Sequence, residues 1–439
     1  MGARYTSELA ELLAPDVLSR FQAYVRIDTQ STRDRTTSPS TPGQLELGRL
    51  LTAELSDAGL QDTALDANGY VTATLAGTAA SGPVIGLIAH MDTSPDAPGR
   101  GVQPIVHDDY GGDTLTLPRA GTRLDPASMP ALATKLGHDI VTASGDTLLG
   151  ADDKAGVAEI VAAVAHLAAH PELPRPTLRV AFTPDEEVGE GATLFDIERF
   201  GAQCAYTLDG SGLGGLDDET FSAEEVIATI HGVDVHPGYG TGKLVSALRL
   251  AAQIVAALPS DRLTPTTSSG REGFIHPYEL TGSAATAQIR AIIRDFDEDL
   301  MRQHRDLFER TAQDVVAAAP GAQLKLVVRR QYRNLRQYLD PVPHVVLAAE
   351  TAIRAEGLEP VRKPIRGGTD GSRLSEMGLP TPNIFTGGHE YHSVREWASV
   401  HDMAAAAATI IRLAEVWARS DPAPPGPGVA GFSQTGSAR

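Results

Sequence analysis

The chain has 439 residues, more than one hydrophobic core usually covers, so two domains are the default expectation. Its 37 basic residues stand against 56 acidic ones, a formal charge of −19 with no basic stripe to offset it, which excludes nucleic acid and anionic membranes as natural partners. A single cysteine, Cys204, rules out an intrachain disulfide; with no leader pattern and no apolar run of roughly 20 residues, the expectation is a soluble cytoplasmic protein.

In chain order, apolar positions at helical spacing predict a helix over 45–59, followed by β-like runs over 70–75 and 84–89. Residues 156–169 are alanine-rich and helical, 178–182 alternate as a strand, and 205–208 form a short apolar one. Helix and strand in alternation imply an α/β domain with a mixed, mostly parallel sheet, whose ligands gather beyond the carboxyl ends of the strands. From 222 to 336 the character changes to a strand over 225–231, a helix over 244–257, an alternating strand over 285–293, a helix over 298–318 and a strand over 323–329. This stretch holds no metal-type cluster and reads as a smaller α+β unit inserted into the first domain, because the α/β pattern resumes with a helix over 345–356, a strand over 382–385 and a helix over 403–419. The expected domains are therefore 1–221 with 337–419, discontinuous, and an insert over 222–336; the Pro-, Gly- and Ser-rich 420–439 is expected to be disordered.

Five acidic or histidine-bearing stretches follow apolar runs: His90-Met91-Asp92, Gly150-Ala151-Asp152-Asp153-Lys154, Asp185-Glu186-Glu187, Leu208-Asp209-Gly210 and His389-Glu390-Tyr391-His392. Together they supply imidazole and carboxylate but no thiolate, the donor set of a hydrolytic two-zinc centre, and so point to a metallohydrolase. In His90-Met91-Asp92, residues two apart on extended chain point the same way, so the carboxylate can hold a metal-binding imidazole; alone, the triplet equally fits a surface turn. The Asp152-Asp153 pair ahead of a helix offers either an N-cap or a carboxylate whose two oxygens bridge cations about 3.5–4 Å apart. Asp185-Glu186-Glu187 concentrates three charges that like-charge repulsion disfavours without cations. One glutamate can bind metal while its neighbour serves as general base, against the plain alternative of an acidic turn at a helix start. Glycines behind Asp209 leave room for a ligand near the backbone, and spacing does not choose between His389 and His392. Arg366 lies in a glycine-rich turn without the ending of a nucleotide-binding loop, which suits an arginine fork for a peptide carboxylate.

The motifs HMDTSP (90–95), LLGADDKAG (148–156), VAFTPDEEVG (180–189), YTLDG (206–210), VHPG (235–238), IIRDF (292–296), KPIRGGTDG (363–371) and NIFTGG (383–388) occur in this order over most of the chain. They closely resemble the peptidase T family of bacterial tripeptide aminopeptidases, within the superfamily of two-zinc carboxypeptidases, dipeptidases and aminoacylases. The resemblance implies a zinc-peptidase catalytic domain with an inserted lid or dimerisation domain, two Zn2+ per subunit, a tripeptide substrate and a homodimer. It implies His90, Asp152, Asp209, Glu187 and His392 as metal ligands, Asp152 bridging, with Asp92 orienting the ligand histidine and Glu186 as general base. The family usually has tyrosine at the position of His389, so the resemblance selects His392 and marks His389 as a departure. It further implies that His236 reaches into the partner's active site to steady the developing oxyanion, and that Arg294 and Arg366 bind the carboxylate or carbonyl end of the substrate. A dipeptidase, carboxypeptidase or N-acyl amino acid deacylase of the superfamily would keep the metal centre and change its surroundings. An inactive peptide-binding relative would have lost Glu186 or a ligand, and every matching position here retains a competent residue.

Overall fold

The seven residues Val84–His90, VIGLIAH, leave no side chain exposed, the mark of a strand covered on both sides rather than one with a wet face. The computed structural model describes residues 4–78, 82–210 and 212–419. The tail 420–439, expected to be disordered, lies outside the described residues. Of those described, one compact unit takes the chain up to Asp218, Tyr338–Lys363 and the chain from Thr369, and the other takes Glu219–Gln337 and Pro364–Gly368. The short segment carrying Arg366, expected in the first domain, thus belongs with the second unit.

In the first unit, β1 (Gln61–Leu65), β2 (Val71–Leu75), β3 (Val84–His90), β4 (Thr177–Thr183), β5 (Cys204–Gly210), β6 (Gly215–Asp217), β7 (Val361–Arg362) and β8 (Asn383–Phe385) form one sheet in the order β1-β2-β4-β3-β5-β8-β6-β7. The adjacent strands β4, β3, β5 and β8 are parallel, whereas β2 runs against β4 and β6 against β8. This is the mixed α/β sheet expected from the alternation of elements. Helices α1 (Glu8–Tyr24), α2 (Pro42–Asp57), α3 (Ala151–Ala169), α4 (Pro343–Ala355) and α5 (Val400–Arg419) accompany it. α3 is apolar nearly all round its axis and packs on β3 and β5 as well as on α1 and α5, as a helix without a polar face must. α2 instead buries one stripe, Leu47, Leu51 and Leu55, each contributing about 1.5–3 kcal/mol relative to exposure. Helix α1 has no counterpart in the predicted elements: Pro15 in its middle masks the spacing of Leu13, Val17 and Phe21, all buried, and Ser7 caps it by accepting from the Ala10 N–H at 3.0 Å.

A small antiparallel sheet of the first unit also has no counterpart among the predicted elements, because its strands are two or three residues long. Gly388–His389, Trp397–Ser399, Ile140–Thr142 and Ile105–His107 pair in that order. Its first two strands close the loop 390–396 through the pairs Gly388 with Ala398 and His389 with Trp397.

The second unit is a four-stranded antiparallel sheet in the order Phe274–Gly282, Thr286–Asp295, Ser222–His231, Gln323–Tyr332, with helices Ala247–Ala257 and Glu298–Ala317. Strict alternation along Thr286–Asp295 sends Ile289, Ala291 and Ile293 into a core with Val226, Ile230, Leu250, Ile254 and Phe308. The strand Phe274–Gly282 escapes a sequence reading because Pro277 interrupts it; it is an edge strand with an irregular register next to that proline. The first helix starts three residues later than expected, where the Ser246 hydroxyl accepts from the Arg249 N–H. Among the described residues no helix is long and apolar enough to cross a membrane.

Candidate metal centre

Three parallel neighbours carry the first candidate residues at their carboxyl ends. His90 is the last residue of β3 and pairs with Thr183, the last of β4, after which the chain turns through Asp185, Glu186 and Glu187; Asp209 lies at the end of β5. Asp152 arrives differently, from the loop entering α3, where Gly150 has φ +84° and both Asp152 and Asp153 are non-helical. Close approach of this helix start to β5 depends on Gly156: a Cβ there would stand 1.9 Å from the Leu208 carbonyl oxygen. His392 comes from the loop closed by the small sheet, at φ +58°.

These five side chains form two overlapping groups, His90 with Asp152 and Asp209, and Asp152 with Glu187 and His392, the potential ligand atoms of each lying within 4.8 Å of one another. Asp152 is common to both. Its Oδ1 is 2.9 Å from His90 Nε2 and its Oδ2 is 3.2 Å from His392 Nε2. Asp209 Oδ1 is 3.8 Å from His90 Nε2, and Glu187 Oε2 is 2.9 Å from His392 Nε2. The other His90 nitrogen, Nδ1, faces Asp92, 3.1 Å from its carbonyl and 3.4 Å from its Oδ1, so Nε2 is left to point into the group. Asp92 also accepts the backbone N–H groups of Glu186 and Glu187, at 2.9 and 3.2 Å.

The third charge of the acidic turn is accounted for elsewhere. Asp185, at φ +59°, accepts from the Ser40 N–H and the Gln44 amide, both at 2.7 Å, and its own N–H donates to Gln44. Glu187 keeps only its Oε2 on His392, and its Oε1 is buried with no hydrogen-bond donor among the described residues.

The protein groups by themselves are in electrostatic conflict. Burial pushes the Asp209 carboxyl well above the usual carboxylate range, with the charges of Asp153 and Asp152 adding. Burial, with Asp152 beside it, pushes Glu187 up to about 7, and burial also holds Glu186 well above its ordinary value, with Asp370 and Glu187 adding. Hydrogen bonds to Asp152 and Glu187 raise His392 to about 11. For His90 burial works downward, but the hydrogen bonds with Asp152 and Asp92 outweigh it and hold the imidazole well above its ordinary value. Such a group keeps protons unless cations replace them, and two imidazoles with three carboxylates, one of them carrying an orphaned buried oxygen, fit a pair of divalent ions.

His389 joins neither group. Its ring stacks on Trp397, 4.1 Å between centroids, and its Nε2 is 3.9 Å from Asp402. The remaining candidates, His236, Arg294 and Arg366, lie in the second unit. His236 is exposed in a turn, its Nδ1 accepting from the Gly238 N–H at 3.1 Å. Arg366 holds its own unit together: its guanidinium donates to the carbonyls of Gly270 and Glu272 at 2.8 and 2.9 Å and to the Ser268 hydroxyl at 2.8 Å, over the Phe221 ring. Arg294 donates only weakly to the Arg366 carbonyl, at 3.4 Å, and its Nε has no acceptor among the described residues.

Several groups supporting the site escape a sequence reading. Asp153 accepts the N–H groups of His90 and Gly156, at 3.2 and 3.3 Å; its place beside Asp152 was the available signal. Asp370 accepts from the Thr183 hydroxyl at 2.7 Å, against a Gly191 that leaves its carboxylate room. Tyr391 is 3.1 Å from the Thr386 hydroxyl, oxygen to oxygen, and 3.4 Å from the Gly210 carbonyl beside Asp209. The partners of Glu396 lie more than two hundred residues away, so nothing local marks it.

The profile of Peptidase family M20/M25/M40 matches residues 148–416, a span that includes Asp152, Glu187, Asp209 and His392. The sequence is 43% identical to Peptidase T of Aliivibrio fischeri over 402 residues, 91% of this chain and 98% of the relative, and the figures are the same for Peptidase T of Bacillus subtilis. The fold matches that of an aminopeptidase PepT from Bacillus cereus with a TM-score of 0.72, covering 92% of this chain and 99% of the other at 24% identity. Sequence likeness along nearly the whole length, and a family profile running through most of the clustered side chains, lead to one assignment: the chain belongs to the peptidase T group of the M20/M25/M40 peptidase family.

Proposed function

We propose that the chain is a zinc-dependent tripeptide aminopeptidase. One observation carries the reading: the two oxygens of Asp152 face two different imidazoles, His90 and His392, each backed by a further carboxylate, which is the connectivity of a bridged pair of cations. His90 and Asp209 would hold one ion, Glu187 and His392 the other, with Asp152 shared. The donor set, imidazole and carboxylate without thiolate, suits Zn2+. When bound, such a pair acidifies water and polarises a carbonyl.

The chain's own residues do the rest. Asp92 fixes the tautomer and aim of His90 through Nδ1 and, by accepting two backbone N–H groups, sets where Glu186 stands. Glu186 takes the proton of the attacking water and returns it to the leaving amine. In the second unit, Arg294 has donor capacity to spare for the carboxylate end of a short peptide, and Arg366 serves it indirectly by shaping the 268–272 loop and presenting its carbonyl to Arg294. His236, exposed and on a turn, is assigned to the active site of a second copy in a homodimer, where it would steady the oxyanion.

Metal analysis of the purified protein with a panel of di-, tri- and tetrapeptides tests this. Two zinc ions per chain and preferred release of the N-terminal residue from tripeptides are expected. Equal turnover of a tripeptide and its N-acetylated form would favour a deacylase or carboxypeptidase instead, and tight binding without turnover an inactive peptide-binding relative.

A further inference from the structure

One buried carboxylate that faces neither ligand group is given over to the backbone carrying Asp152. Glu396 Oε2 accepts the N–H groups of Leu149 and Gly150, each at 2.7 Å, and Oε1 accepts that of Asp152 at 3.0 Å. Glu396 is 1% exposed. All three donors lie where the chain enters α3, around the left-handed Gly150, and α3 itself offers them no acceptors. Hydrogen bonds to an ionised acceptor are shorter and stronger than neutral ones, and three on one carboxylate hold that loop in a single arrangement.

Glu396 and His392 occupy the same loop, closed by the pairing of Gly388–His389 with Trp397–Ser399. A single connection therefore grips Asp152 at both ends: His392 Nε2 stands 3.2 Å from its Oδ2 and Glu396 Oε1 3.0 Å from its backbone nitrogen. Asp152 is also the one side chain common to both ligand groups, so an error in its direction would disturb both ions.

We propose that Glu396 is a positioning residue of the metal centre, which fixes the direction of the Asp152 carboxylate by holding the amides of Leu149, Gly150 and Asp152. The inference rests on the two-cation reading above. A glutamine at 396 keeps the shape but replaces one acceptor oxygen by an NH2 group that confronts N–H donors, so at least one amide loses its partner.

The test compares wild type, Glu396→Gln and Glu356→Gln, each stripped of metal and titrated with Zn2+ against a chelator, with the Tm of the stripped protein as the measure of folding. Glu356 is an equally buried carboxylate of the same unit, at 1% exposed, which accepts from Thr6 at 2.7 Å and from Ser7 and stands in neither ligand group. Glu396→Gln is expected to bind Zn2+ about 10–100-fold more weakly, the range for outer-shell partners of metal ligands, with kcat partly recovered by added Zn2+. Glu356→Gln, even with a comparable fall in Tm, keeps wild-type Zn2+ affinity. Unchanged affinity in Glu396→Gln, or an equal loss in Glu356→Gln, overturns the proposal. If Glu396→Gln does not fold, Glu396→Asp, with the charge kept and withdrawn by one methylene, takes its place under the same outcomes. A wild type that binds no Zn2+ overturns the two-cation reading itself, a result distinct from equal binding with and without Glu396.

Discussion

The carboxylate of Asp92 accepts the backbone N–H of Glu186 at 2.9 Å and that of Glu187 at 3.2 Å, while one of its oxygens stands 3.4 Å from Nδ1 of His90. One side chain thus ties the aim of a proposed ligand imidazole to the placement of the proposed base. Asp92→Ala is expected to weaken Zn2+ binding about 10–100-fold, as for other carboxylates behind a ligand histidine. Because Glu186 loses its anchor too, saturating Zn2+ should not restore kcat. Full recovery of kcat at saturating metal would show that Asp92 acts on the imidazole alone.

Glu186→Gln retains the size of the side chain and removes its ability to carry a proton. Metal content should stay at two ions per chain and KM should change little, while kcat falls by about 10²–10⁴-fold. Steady-state kinetics with metal analysis on the same preparation separates this from a ligand loss. A Glu186→Gln enzyme with more than a tenth of wild-type kcat would remove the base assignment.

How far the sequence exposes this site depends on how local each signal is. β3 is legible because VIGLIAH is an apolar run of strand length and β4 because residues 178–182 alternate, and they deliver His90 and the acidic turn to a common edge. The alternating Thr286–Asp295 is legible for the same kind of reason, whereas the strand Phe274–Gly282 is hidden by Pro277. His389 and His392 cannot be told apart by spacing, since the choice is made by Trp397, whose ring takes His389 by stacking and leaves His392 to the acidic group. Arg366 reads as a free arginine fork in a glycine-rich turn, because the carbonyls that occupy it come from residues 270 and 272, nearly a hundred positions earlier. Glu396 is illegible on the same ground: a carboxylate that serves distant backbone amides carries no pattern of its own.

The acid–base properties of the proposed ligands Glu187 and His392 set a pH dependence with a definite sign. Glu187 titrates near 7 and His392 near 11 in the protein, against about 4.3 and 6.5 in an unfolded chain. Both folded values are raised, so for the stripped protein each contributes stability that is complete below the unfolded value and is lost as pH rises through the folded one. On the proposed ligand roles, Zn2+ binding requires both groups without their protons and therefore strengthens as pH rises. The rise in Tm produced by Zn2+ should be larger at about pH 8 than at about pH 5.5, with the steepest change below about 7, where the Glu187 proton must also be displaced. Thermal unfolding with and without chelator at both values measures it, and a pH-independent difference would contradict the ligand roles.

Gly156 sets the distance between Asp152 and Asp209 through packing rather than chemistry. A methyl group there meets the Leu208 carbonyl oxygen at 1.9 Å, so Gly156→Ala must push α3 away from β5. A loss of about 1–3 kcal/mol or more in denaturant unfolding is expected from such overpacking, with weaker Zn2+ binding because the His90, Asp152 and Asp209 group is spread. Normal stability with wild-type metal affinity would mean the helix start can shift without moving Asp152.

The two arginines of the second unit should separate by function. Arg294 has its guanidinium 5.9 Å from the Phe274 and Tyr332 ring centres and an Nε without an acceptor among the described residues, so it has donors to offer a substrate carboxylate. Arg366 is committed to Ser268, Gly270 and Glu272. Wild type is expected to prefer a tripeptide with a free C-terminal carboxylate over its C-terminal amide. Arg294→Ala should abolish that preference, at a cost of about 1.5–3 kcal/mol in kcat/KM, the worth of a hydrogen bond to a charged group, with little change in Tm. Arg366→Ala should lower Tm and keep the preference, and Arg366→Lys should not recover the Tm because an ammonium cannot span several carbonyls as the planar guanidinium does. If Arg294→Ala retains the preference and Arg366→Ala loses it at unchanged Tm, the substrate role belongs to Arg366, and its contacts with the 268–272 loop must open when peptide binds.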